Sequence, residues 1–166
     1  MSDSNPRPLA ARPDALPAPL PGARDRFDLR DPIQALARFY RAFNERDGAV
    51  MEQVWEHSPE VAVISPLVGL ARGWSVVRGM YERGFQGPLK LTTEFYDYTT
   101  HRSGEVFYAI GRERAHSSSP RGSMEVGGQA TNILRQRPDG TWAMIHHHVS
   151  VADPRAVGGL PAADPS

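Results

Sequence analysis

The stretch Thr131 to Val151, TNILRQRPDGTWAMIHHHVSV, constrains the fold of this chain more than any other. Two apolar-alternating runs flank Arg137-Pro138-Asp139-Gly140. Proline presets φ at the first central turn position, aspartate tolerates the second, and glycine takes a left-handed bulge position, so the segment is expected to be a tight antiparallel hairpin. The turn makes Arg137 and Thr141 the flanking partners. It sets Gln136 against Trp142, Leu134 against Met144 and Asn132 against His146. Alternation then places Trp142, Met144, His146, His148 and Ser150 on one face, and Ala143, Ile145, His147, Val149 and Val151 on the other. Both faces are largely apolar. One is expected to line a pocket and the other to be buried or to face a second subunit.

A chain of 166 residues suits one domain with a real core. Nineteen basic and nineteen acidic side chains cancel, and no segment concentrates either sign, so neither nucleic acid nor an anionic membrane is an expected partner. Cysteine is absent, which excludes disulfides, thiolate metal sites and cysteine nucleophiles. No run approaches the roughly 18 apolar residues of a membrane span, and the N-terminus lacks an apolar signal core. A soluble, cytoplasmic protein is expected.

Residues 1–26 are rich in proline and alanine, which reads as a disordered arm, and 153–166 read as a disordered tail. The folded domain is expected over 27–152. Asp31-Pro32 is a helix start, and Ile33, Leu36, Ala37, Phe39, Tyr40 and Phe43 recur at helical spacing up to Asp47-Gly48. A second helix is expected over about Ala49 to Glu56 and a third over about Trp74 to Phe85. Val61 to Ile64 reads as a short buried strand, followed by a glycine-bearing loop from Gly69 to Gly73. Four long antiparallel strands follow, Leu89 to Thr100, Glu105 to Ser117, Met124 to Gln136 and Thr141 to Ala152. The turn at Arg102-Ser103-Gly104 would set Tyr98 against Tyr108 and Glu94 against Arg112. Gly127-Gly128 suggests a bulge, and Ser117 to Gly122 a long polar loop. This order is an α+β arrangement, a cone in which three N-terminal helices pack on a strongly curved antiparallel sheet.

The segments ARFYRAFNERD (Ala37 to Asp47), VWEHSPEVAVISP (Val54 to Pro66) and WAMIHHHVS (Trp142 to Ser150) resemble the nuclear-transport-factor-2-like superfamily, in its SnoaL-like branch. The resemblance spans about Pro32 to Asp153. It implies a conical pocket between the helices and the concave sheet face, and commonly a homodimer made through the sheet. The superfamily hosts isomerases, cyclases, dehydratases, epoxide hydrolases and non-catalytic association modules, so the resemblance does not fix a reaction. Ketosteroid isomerases of this superfamily have a carboxylate base before the proline that ends the first strand, where this chain has Ser65. Their tyrosine aligns with Phe39, one residue from Tyr40, and their protonated aspartate falls near Thr131 or Asn132. A serine does not abstract a carbon-bound proton unaided, which argues against that chemistry.

His146 and His148, two apart on a strand, are the sharpest candidates, as an acid/base pair, as hydrogen-bonded structural histidines or as two ligands of a metal lacking an identified third. His101, His116, Glu113 and Asp97 are conceivable third ligands that no pattern places in the cone. Asn132 and Tyr40 would orient a substrate. Trp55, Ser65, Trp74, Tyr81, Leu134, Trp142 and Met144 would line the pocket, which suits a small apolar or aromatic molecule. His147 and Arg135 are expected on the opposite face. The leading reading is a SnoaL-like small-molecule-binding domain, in its enzyme form a cofactor-independent isomerase, cyclase, dehydratase or hydrolase using histidine acid/base chemistry on an apolar cyclic substrate. The alternatives are a non-catalytic ligand-binding or dimerisation module, and a metal-dependent enzyme built on His146 and His148.

Overall fold

The computed structural model describes residues 27–119 and 122–152. The arm expected over 1–26 and the tail over 153–166 lie outside the described residues. Helix α1 spans Pro32–Glu45, with proline at its first position and the Asp31 side chain accepting from the Ile33 N–H at 2.9 Å. Arg46 ends it in the left-handed region (φ 56°), and Asp47 at once caps α2, Gly48–Val54, by accepting from Val50 N–H at 2.9 Å. The second helix stops before the expected Glu56 because Trp55 turns extended and bridges to Met144 on the last strand.

Strand β1 is Ala62–Ser65. Gly69 to Arg72, expected to be loop, form strand β2, because a turn over 66–68, left through Gly69 at φ 68°, folds that segment back on β1. Helix α3 covers Trp74–Gln86, and β3 (Lys90–Ser103), β4 (Val106–Ser119), β5 (Gly122–Gln136) and β6 (Trp142–Val151) follow. The sheet order is β2-β1-β6-β5-β4-β3. Its pairs are antiparallel except β1 with β6, so the sheet expected to be antiparallel is mixed. β1 leaves a helix rather than a hairpin turn, and can therefore meet β6 in parallel.

Two irregularities bend the sheet, and neither is where the glycines suggested. One lies between Tyr96 and Thr99, where Asp97 adopts φ 48°. The expected pairings are displaced already at the turn, which is tight at Gly104-Glu105 and pairs Ser103 with Val106, so Tyr108 faces His101. Beyond the irregularity, which shifts the register by one residue, Glu94 faces and ion-pairs with Arg114 at 2.5 Å. The other lies in the terminal hairpin. Its turn forms as the sequence predicts, with Arg137 N–H to Thr141 O at 2.7 Å and Gly140 at φ 85°. Gln136 faces Trp142 and Leu134 faces Met144, but Ile133 then faces His146, leaving Ile145 as an extra residue on β6.

Gly127 and Gly128 instead lie in unbroken register with Arg114 and Glu113. Gly128 is needed for closeness, since a Cβ there would stand 2.4 Å from the Ser150 carbonyl oxygen, whereas one at Gly127 would meet nothing within 4 Å. The strands also stay paired to Ser119 and Gly122, which shortens the loop expected from Ser117 to Gly122.

The narrow end of the cone is packed solid by Leu36, Phe39, Met51, Trp55, Leu134, Trp142 and Met144, all essentially inaccessible. This plug leaves open space only toward the other end. The neighbouring glycines offer a matched test of sheet closeness. Gly128→Ala should cost about 1–3 kcal/mol by overpacking against backbone, while Gly127→Ala stays within about 0.5 kcal/mol of the parent, both read by urea denaturation.

Candidate functional site

A cavity of about 390 Å³ lies between α1, α3 and the concave side of β1 and β3–β6. Its wall is mainly apolar, with Phe39, Phe43, Met80, Phe85, Leu91 and Val149 among the contributors. At its rim Arg46 donates to the carbonyls of Gly87 and Leu89, tying the end of α1 to the connection between α3 and β3.

Four polar side chains meet at the inner end. Tyr40, on the buried face of α1, donates to Glu113 Oε1 at 2.5 Å. Asn132 Nδ2 donates to Tyr40 Oη at 2.9 Å, and Asn132 Oδ1 stands 2.8 Å from His147 Nδ1. His147 Nε2 returns to 3.8 Å from Glu113 Oε1, which brings the ends of the chain of bonds together without a hydrogen bond between them. Tyr40 is fixed by stacking on Phe95 at 5.4 Å, and Phe39 packs on the His147 ring at 5.1 Å. Tyr40, Glu113 and His147 line the cavity, while Asn132, fully buried, joins Tyr40 to His147 from behind.

Burial sets the charges. Glu113 is pushed up to about 7 by loss of water, with the Tyr40 hydrogen bond pulling the other way and no cation among the groups acting on it. Burial, helped by His146 and His148, holds His147 down near 3, so it is neutral. Tyr40 is raised well above the ordinary tyrosine value, first by burial and then by Glu113, and stays protonated. The result is a carboxyl group that changes charge near neutrality, in an apolar cavity, next to a neutral imidazole.

The extra residue at Ile145 decides which histidine enters. Asn132 pairs with His147, not with His146, so His147 points to the cavity and His146 and His148 lie on the outer face. Those two rings are 6.2 Å apart, and His146 is lowered by partial burial and by its neighbour His148. No cluster of three or more potential metal-ligating side chains occurs among the described residues. Tyr40 and Asn132 do come together as expected, with His147 in place of the other histidines. Arg135 faces outward, as expected, and pairs with Glu56 and Glu60, both at 3.1 Å.

Of the expected lining, Ser65 and Tyr81 reach the cavity. Trp55, Leu134, Trp142 and Met144 are instead core at the plugged end, and Trp74 stacks on His57 at 4.6 Å. The Trp55 and Trp142 indole nitrogens and the Tyr81 hydroxyl are buried without a well-formed hydrogen bond, although Trp55 is close enough to Tyr81 to influence its ionisation.

Glu113 is the residue that sequence reasoning left unplaced. A signal was present in β4, where Phe107, Ala109, Gly111, Glu113, Ala115 and Ser117 share one face. A lone carboxylate in a row of small residues marks where a concave strand leaves room and places a charge inside it.

A SnoaL-like domain model matches residues 33–154. No curated protein matches the sequence. A nuclear-transport-factor-2-like protein from Salmonella enterica is similar in structure at 20% identity, with TM-score 0.66, over 79% of this chain and 96% of that one. A structure from Thiobacillus denitrificans, named as a candidate calcium/calmodulin-dependent protein kinase type II association domain, has 26% identity and TM-score 0.62, over 74% of this chain and 95% of its own. A candidate dehydratase of the same superfamily from Streptomyces avermitilis has 20% identity and TM-score 0.64, over 71% and 91%. With three helices on a curled six-stranded sheet and a family model spanning its folded part, this chain belongs to the SnoaL-like domain family of the nuclear-transport-factor-2-like fold.

Proposed function

We propose that this protein is an enzyme that moves a proton on an apolar, cyclic small molecule, with Glu113 as the general acid/base. The observation behind this reading is the Tyr40–Glu113 hydrogen bond at the floor of the cavity, around a carboxyl group poised near 7. A base is most useful when its proton affinity lies near the working pH, and burial is the common means of lifting a glutamate there. His147 is the second acceptor, and Tyr40 and Asn132 hold the two in place. The reaction class is isomerisation, cyclisation, dehydration or hydrolysis, each of which a single positioned acid/base can serve. The role first expected of His146 and His148 passes to Glu113 and His147, because only the latter open on the cavity.

A second reading, association through the outer face of the sheet, is compatible with the first. It is favoured by Ile110 and Val106, which leave 47% and 37% of their surface open on that face of β4, and by similar structures named as an association domain and as a hub. A homodimer made there would cover both. No helix among the described residues is long and apolar enough to cross a membrane.

Three outcomes test these readings. Turnover of a panel of apolar cyclic hydroxy ketones, hydroxy esters and hydroxy epoxides should fall about 10²–10⁴-fold in Glu113→Gln. His146→Ala and His148→Ala should leave it nearly unchanged, and equal losses in all three variants would remove Glu113 from its role. The charge state has its own readout. Between the ordinary glutamate value of 4.5 and about 7, folded protein keeps a proton that unfolded chain releases, so this group's contribution to stability falls as pH rises through that window. Relative to Glu113→Gln, the parent should therefore lose about 3 kcal/mol across it in denaturant titrations, and a constant difference would contradict a raised Glu113. Finally, Ile110→Glu should convert a dimer to monomer in sedimentation velocity without loss of helix signal.

A further inference from the structure

The cavity reading leaves open what kind of molecule enters, and the directions of the hydrogen bonds at its inner end narrow the choice. An ionised Glu113 has no proton to give, so Tyr40 must donate to it. The Tyr40 oxygen then accepts, and Asn132 supplies the donor from its amide nitrogen. That orientation turns Asn132 Oδ1 toward His147, whose Nδ1 must carry the imidazole proton. His147 Nε2 is left as a bare lone pair. Every bond of this network points from His147 toward Glu113, and the one donor hydrogen left over, the second on Asn132 Nδ2, belongs to a fully buried side chain behind it.

Within this network, two cavity-facing atoms remain for a ligand. Glu113 Oε2 has no partner among the described residues, and His147 Nε2 stands 3.8 Å from Glu113 Oε1, beyond hydrogen-bond reach. Both are acceptors. The Tyr81 hydroxyl on α3 is itself buried without a hydrogen-bond partner, and the Thr93, Ser65 and Ser150 hydroxyls belong to the cavity wall outside the network. Arg46, the basic side chain on the wall, is engaged by the Gly87 and Leu89 carbonyls.

We infer that the natural ligand is an apolar molecule whose inner end bears hydrogen-bond donors, a hydroxyl or an amine, and that carboxylates and donor-free ketones are rejected there because Glu113 and His147 offer them acceptors only. This rests on the reading of Glu113 and His147 as the working end of the cavity. A ligand hydroxyl between the two acceptors has its proton held by the base, whereas an anionic head meets a buried carboxylate with no cation to offset it. Specificity of this type is strong, since a mismatched head leaves buried polar atoms unpaired.

Four probes with one aromatic body separate the possibilities, namely 2-naphthylmethanol, 2-naphthylmethylamine, 2-acetonaphthone and 2-naphthoate, titrated by calorimetry into the full chain at pH 8. The alcohol and the amine should bind about tenfold or more tightly than the ketone and the carboxylate, the scale of a hydrogen bond to a charged group. In Glu113→Gln, whose amide presents a donor as well as an acceptor, the preference of alcohol over ketone should shrink to about threefold or less. If ketone or carboxylate binds the parent as well as the alcohol does, and Glu113→Gln still alters binding, the inference fails while the cavity reading stands. Failure of all four probes to bind would overturn both. The rank order in the parent is decisive even if Glu113→Gln folds poorly.

Discussion

A carboxylic acid buried in an apolar cavity is costly unless something holds it, and the hydrogen bond from Tyr40 to Glu113 supplies that hold. The two residues are 73 positions apart, one on the first helix and one midway along β4. Their contact forms only when α1 lies across the concave face of the sheet. The same contact recruits Asn132 and His147, so one donor–acceptor pair organises polar groups from one helix and three strands. Because these bonds run in series through buried groups, removing any member leaves a neighbour unsatisfied, and such networks fix a single geometry.

Shape and chemistry are separated along the cone. Large apolar side chains, among them Trp55, Trp142 and Met144, fill the narrow end and leave no room for a ligand. Small residues on the concave face of β4, with Gly127 and Gly128 on β5, leave the space above it open. Glu113 sits at the boundary between the two, and its environment is therefore dry without being inaccessible. That boundary position explains why its proton affinity rises toward neutrality. Similar folds named as dehydratase and as association domain show that the scaffold does not dictate one activity. The identity of the groups at this boundary distinguishes one member from another.

Much of the architecture was legible along the chain. Asp31-Pro32 starts a helix wherever it is followed by apolar residues at helical spacing, and Pro138-Asp139-Gly140 closes a hairpin by local backbone preference alone. These signals need no tertiary partner, and both appear as expected. The inward placement of Tyr40 and Asn132 was also legible, Asn132 from counting along its strand and Tyr40 from its place on the first helix, but not the hydrogen bond that joins them. What failed was counting through irregular points. The extra residue at Ile145 reverses which histidine faces inward, while the turn at Gly104-Glu105 and then the extra residue near Asp97 displace the pairings of β3 with β4.

The sequence by itself determined the family, the helix starts, the terminal turn and the apolar character of the interior, since each depends on residues that are neighbours in the chain. Tertiary structure decided that β2 exists, that β1 meets β6 in parallel, and that Glu113 and His147, in place of His146 and His148, open on the cavity. A bulge is placed by the strain of bending a whole sheet around helices, and a proton affinity by the water that packing excludes. Neither quantity is a property of any short stretch of residues.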